Sequence, residues 1–111
     1  METRIQKTLR QWFPEAFTSR ELDVEMSDYE ILRQFAAYAR ELIEINAENR
    51  KEPFKIIFLL YSKGSLFEKN AIENEFLSLL SHDESAHTIK QHLEMMPEQL
   101  RAVYLKTILE N

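Results

Sequence analysis

Apolar residues recur along most of this chain at the three- to four-residue spacing of helices that hide one face. Ile5, Leu9, Trp12 and Phe13 fall at i, i+4, i+7 and i+8, which predicts an amphipathic helix over residues 2–13. Pro14 interrupts it and leaves Glu15, Ala16 and Phe17 for one further turn. Residues 21–26 instead alternate, with Leu22, Val24 and Met26 set between acidic neighbours. That is the period of a strand, but a lone strand cannot satisfy its own backbone. An extended connector is expected there, with pairing to another chain as the alternative.

Ser27 with Glu30 three residues on forms a capping box and opens the longest helix, over residues 28–48. At about 100° per residue, Ile31, Leu32, Phe35, Ala36, Tyr38, Ala39, Leu42 and Ile43 fill one half of it. Glu30, Arg33, Arg40, Glu41, Glu44 and Glu48 fill the other. So wide an apolar face needs at least two neighbours, which makes this helix the expected backbone of the domain. A polar turn over 49–52 leads to Pro53, suited to the first position of a new helix. Residues 53–63 are apolar on nearly every side, so they are expected to be central and buried. Their β-branched content leaves a strand open.

Gly64, the one glycine of the chain, follows that segment, and Ser65 with Glu68 forms another capping box directly after it. A helix-closing glycine next to a helix-opening serine predicts a tight αα-hairpin into a helix over 65–81. A loop over 81–85 precedes residues 86–95 and 97–110, which read as two short helices or one helix bent at Pro97. The expected fold is all-α, with about five helices in successive αα-hairpins forming a compact bundle or short solenoid-like array. Residues 1–111 are expected to form one domain, with an N-terminal helix and connector over 1–26 and the helical core over 27–111.

Composition narrows the chemistry. The 111 residues suffice for one core that buries roughly 60–70% of the unfolded surface. With no cysteine, disulfides and thiolate chemistry are excluded, and a single glycine allows no phosphate-cradling loop. The charged N-terminus lacks the apolar stretch of a signal peptide, and no apolar run approaches the ~20 residues of a membrane span. A cytoplasmic location is therefore expected. The net charge of −5 is distributed in blocks, positive over 1–20 and 49–70 and negative over 21–48 and 71–111. Such blocks disfavour nucleic-acid backbone and permit an acidic face aimed at a basic partner.

Few residues form a chemical constellation. His82 and His87 are five apart, so the segment between them is not a zinc-protease motif. Glu84 and His87 match the Glu-x-x-His unit of di-iron bundles, but no second unit exists to complete it. No serine stands in a nucleophile elbow. No cofactor, metal or catalytic residue is therefore expected. Within helix 65–81, Ile72, Phe76, Leu77, Leu79, Leu80 and Leu66 define an apolar arc into which Lys69 and Glu73 intrude. Either Glu73, with Asn70 and Asn74 beside it, lines a groove, or it pairs locally at the core's edge. Glu41, Glu44 and Glu48 make an acidic stripe on the longest helix. Trp12, Phe13 and Phe17 either close the end of the bundle or anchor a homodimer.

The C-terminal part carries a resemblance. Tyr61 to Gly64, the Asn- and Glu-rich stretch from Asn70 to Leu77, and then Leu93, Leu100 and Arg101 resemble small all-helical bacterial families of unknown function. Some of those are similar to immunity or regulatory proteins associated with polymorphic toxins. The resemblance implies an interaction protein whose partner is another protein, and it carries over no catalytic residue. The expected function is a non-catalytic cytosolic protein-interaction module, of immunity or regulatory type, that meets a basic partner through Glu41, Glu44, Glu48, Asn70, Glu73 and Asn74. The alternative is a small-molecule- or metal-binding helical protein using Glu73 or the Glu84/His87 pair.

Overall fold

In the computed structural model, residues 3–17, 27–82 and 84–110 are described. The 21–26 connector expected from the alternating pattern lies outside them. Six helices follow one another among the described residues: α1 (Arg4–Trp12), α2 (Asp28–Glu44), α3 (Glu52–Ser62), α4, α5 (Ala86–Met95) and α6 (Glu98–Glu110). α4 runs without a break through Leu66–Ala71, a π-helical stretch Ile72–Leu77 and Ser78–Ser81. A 3₁₀ turn over Pro14–Phe17 follows α1, as the single further turn expected after Pro14. The fold is all-α.

Three capping boxes close at helix N-termini. Thr3 with Gln6, Ser27 with Glu30 and Ser65 with Glu68 each satisfy two otherwise orphaned N–H groups. Ser85 caps α5 by accepting from Thr88 N–H. The C-termini differ from expectation. α2 stops at Glu44, not near residue 48, because Asn46 takes a left-handed conformation (φ 55°). Asn46 N–H then donates to Ile43 O and Ala47 N–H to Leu42 O, the Schellman arrangement that ends a helix.

Gly64, by contrast, does not have positive φ. It is needed for space, since a Cβ there would lie 2.7 Å from Leu60 O. Residues 53–63 are helical, which resolves the strand alternative.

α2 and α4 form the centre. Ile31, Leu32, Phe35, Ala36 and Ala39 of α2 are fully buried, as are Ile72, Phe76, Leu77 and Leu80 of α4. Rings connect the layers: Phe35 lies 4.9 Å from Phe13 and 5.8 Å from Phe76, which lies 6.1 Å from Phe54. Each such side chain contributes about 1.5–3 kcal/mol by burial. α6 joins this core through Leu100 and Tyr104, and α1 through Ile5 and Leu9.

Two expectations about this centre need correction. α3 is not the central element: Pro53, Phe54, Ile57 and Leu60 are buried, but Leu59 is 51% exposed. Leu66, placed in the apolar arc of α4 by a uniform 100° per residue, is 75% exposed. The π stretch is the reason. Its wider turn, seen in the Ser78 N–H to Glu73 O bond, removes about one residue's rotation. Residues on either side are thereby re-phased: Ala71 turns into the core and Leu66 turns out of it.

Candidate interaction surface

α1 is held by its first turn. Thr3 Oγ1 donates to Asp28 Oδ1 at 2.5 Å, Arg4 Nη2 donates to Leu60 O at 3.2 Å, and Arg4 pairs with Glu68 at 3.2 Å. With Ile5 and Leu9 inserted in the core, α1 lies beside α3 but does not seal against it. An open groove of about 240 Å³ remains between them, lined by Arg4, Thr8 and Trp12 from α1 and by Ile56, Leu59, Leu60 and Lys63 from α3 and its C-cap. Trp12 is 63% exposed. Trp12 and Leu59 thus leave two large apolar side chains in water on the two walls of one groove. Tyr29 and Phe67, also exposed, pack with ring centres 6.0 Å apart at a 50° tilt, beside the Asp28 and Glu68 that hold the first turn of α1.

The expected trio of Trp12, Phe13 and Phe17 is therefore divided. Phe13 and Phe17 are buried against Phe35, and only Trp12 is available for contact.

Glu41 and Glu44 are exposed on the outer face of α2, while Glu48 is exposed in the turn beyond its end. The structure adds Glu15 to this group. Burial raises the Tyr38 hydroxyl above its ordinary range, assisted by the field of Glu15 and, less strongly, of Glu41. Carboxylates from the 3₁₀ turn and from α2 thus converge on one tyrosine. Sequence reasoning missed Glu15 because only the packing of the 3₁₀ turn on α2 brings it there.

Glu73 neither projects into the core nor stands open in a groove. Its Oε2 accepts from Tyr61 Oη at 2.5 Å across the α3–α4 hairpin, and Lys69 Nζ lies 5.6 Å from the centre of the Tyr61 ring. Burial, then the Glu73 hydrogen bond and charge, push the Tyr61 hydroxyl up to about 12, so it remains a donor near neutral pH. Asn70 and Asn74 are exposed. Asn74 lines a smaller, more open groove of about 210 Å³ with Arg33, Glu75, Ser78, Leu79 and His82, in which Arg33 and Glu75 pair at 3.4 Å. Of the three residues expected together on this helix, Glu73 is held by Tyr61, while Asn70 and Asn74 are exposed.

Glu84 turns to α2 instead of to His87. It pairs with Arg40 Nη2 at 2.5 Å, and Arg40 also reaches Leu79 O. Burial alone would raise the Glu84 carboxyl, but the Thr88 hydrogen bond and the charges of Arg40 and His92 hold it below the ordinary range. Beneath this pair His92, 3% exposed, shares a 2.9 Å hydrogen bond with the fully buried Tyr104. Burial lowers the His92 pKa, opposed by the Glu84 charge, and raises the Tyr104 hydroxyl. This network ties α5 and α6 to α2. Among the described residues no group of three metal-ligating side chains is gathered, and no helix is long and apolar enough to cross a membrane.

A family profile described as a domain of unknown function, DUF7674, matches residues 7–110. The chain belongs to this family. The match extends well beyond the C-terminal stretch that carried the resemblance and takes in most of α1, with every lining residue of the groove except Arg4. The family description names no activity or partner. No curated protein and no solved structure matches the chain.

Proposed function

We propose that this protein is a non-catalytic protein-interaction module whose contact surface is the groove between α1 and α3. The observation that carries the reading is the exposure of Trp12 and Leu59, two large apolar side chains lining one groove beside an otherwise well-filled core. Tryptophan is the residue most enriched where binding energy concentrates. The alternative sites weigh less: Glu73 is taken up by Tyr61 and Glu84 by Arg40, which supports structural roles for both.

A second reading places a basic partner on the acidic end of α2, as an immunity-type or regulatory protein would. The convergence of Glu15 and Glu41 at Tyr38, with Glu44 and Glu48 exposed nearby in sequence, favours it. Charge complementarity there would speed association and make it sensitive to salt.

A tagged full-length chain and its Leu59→Glu and Glu41→Lys/Glu44→Lys variants would be used to capture partners from host lysate at low and high salt. Retention by the wild type and loss on Leu59→Glu, at unchanged thermal stability, supports the groove. Loss on the charge reversals alone, together with loss at high salt, moves the contact to the acidic end. Identical capture by all three chains, or no capture at all, would sink the module reading.

A further inference from the structure

The groove has a polarity that specifies what it takes, if it is the contact surface proposed above. Its aromatic end is Trp12, and its other end carries the Lys63 ammonium, one turn from Leu60, whose carbonyl Arg4 reaches. Glu68 compensates Arg4 and Glu52 compensates Lys55, at 3.2 and 2.9 Å, so neither pair leaves a free carboxylate to offset Lys63. Among the described residues Lys63 makes no ion pair, nor does Lys7, one turn along from Arg4. In a chain of net charge −5, this is a local cationic rim on an apolar floor of Ile56, Leu59 and Leu60.

The geometry points to an acidic, apolar-anchored segment of a partner protein as the occupant, with a carboxylate against Lys63 and a large apolar side chain against Trp12 and Leu59. A basic segment would meet like charge at Lys63, whereas a purely apolar one would leave that ammonium desolvated and unpaired. The acidic end of α2 and this groove thus select partners of opposite sign.

Trp12 is the single tryptophan of the chain, so its emission reports the groove directly. The probes are an amidated helical peptide about three turns long, free of tryptophan and tyrosine, with a leucine and phenylalanine stripe flanked by glutamates, and its twin with lysines for the glutamates. The acidic probe should shift Trp12 emission to the blue saturably and bind at least about tenfold tighter than the twin. Lys63→Glu should abolish or reverse that preference, and Leu59→Glu should abolish binding of both probes.

Equal or tighter binding of the lysine twin overturns the acidic occupant. A preference indifferent to Lys63→Glu, or no shift with either probe, overturns it too. Sedimentation of the free chain as a dimer that Leu59→Glu dissociates also does so, by making a second copy the occupant. In each case the groove itself is judged separately, by whether Leu59→Glu abolishes partner capture.

Discussion

Tyr61 and Glu73 are joined across the α3–α4 hairpin by a hydrogen bond of 2.5 Å, with the hydroxyl donating to the carboxylate. The bond joins the last turn of α3 to the π stretch of α4, so it reports whether that re-phased helix is in place. Tyr61→Phe is expected to cost about 1 kcal/mol, since the pair is half-buried and partly screened. In a double-mutant cycle with Glu73→Gln, urea unfolding should return a coupling energy of at least about 0.5 kcal/mol. Strict additivity would mean that the bond contributes nothing to stability.

Gly64 and Asn46 should respond in opposite directions. Gly64→Ala puts a methyl group 2.7 Å from Leu60 O, backbone that cannot swing aside, and is expected to destabilise by about 1–3 kcal/mol. Asn46→Gly relieves a left-handed φ of 55° and is expected to gain a few tenths up to about 1 kcal/mol. Both are read from the urea midpoint at constant m-value.

Arg40→Ala leaves Glu84 without its guanidinium in a largely buried position. A loss of about 1–3 kcal/mol is expected, less than for a fully buried pair because Arg40 is partly solvated. Removing both charges, as Arg40→Met with Glu84→Gln, should recover part of it. Equal stability of the single and double variants would show that the pair is not the linkage holding α5 to α2.

Stability should fall in two acid steps. His92 is held below its ordinary value by burial, opposed by Glu84 and assisted by Arg40. A depressed folded pKa means that the unfolded chain binds the proton first. Its contribution is therefore full above about pH 6.5 and declines below that, down to the folded pKa. Glu84 and Glu68 are also depressed, so their contributions are full above about pH 4.3 and decline only below it. In unfolding measurements from about pH 8 down to about pH 2, His92→Gln should lose the upper step and keep the lower. An upper step retained in that variant would assign it to another group.

The helical periods, the capping boxes at Ser27 and Ser65 and the hairpin at Gly64 were legible in the chain because each depends on residues within about four positions of one another. Local spacing also placed the apolar face of α2 correctly, from Ile31 to Leu42. The end of that helix was misread, since nothing nearby distinguishes an asparagine that takes a left-handed turn from one that continues the helix. The π stretch was invisible for a related reason. A uniform 100° rotation puts Leu66 inside and gives Ala71 no special place, and only packing against α2 and α6 makes the wider turn worthwhile.

The candidate site was decided almost wholly by tertiary structure. In the sequence, Leu59 is one more apolar residue of a buried-looking run, and Arg4, Thr8 and Trp12 are merely a mixed stripe at i, i+4 and i+8. They become a groove because Thr3 and Arg4 pin α1 to α2 and α4 at one end, leaving α1 and α3 side by side but apart. Glu84 and Glu73 likewise found partners far away in the chain, Arg40 and Tyr61, that no spacing rule could have paired with them. By itself, the sequence determined which segments are helices and which face of each is apolar. The assembled chain decided which of those apolar faces stays in water, because that depends on how closely helices distant in sequence can approach.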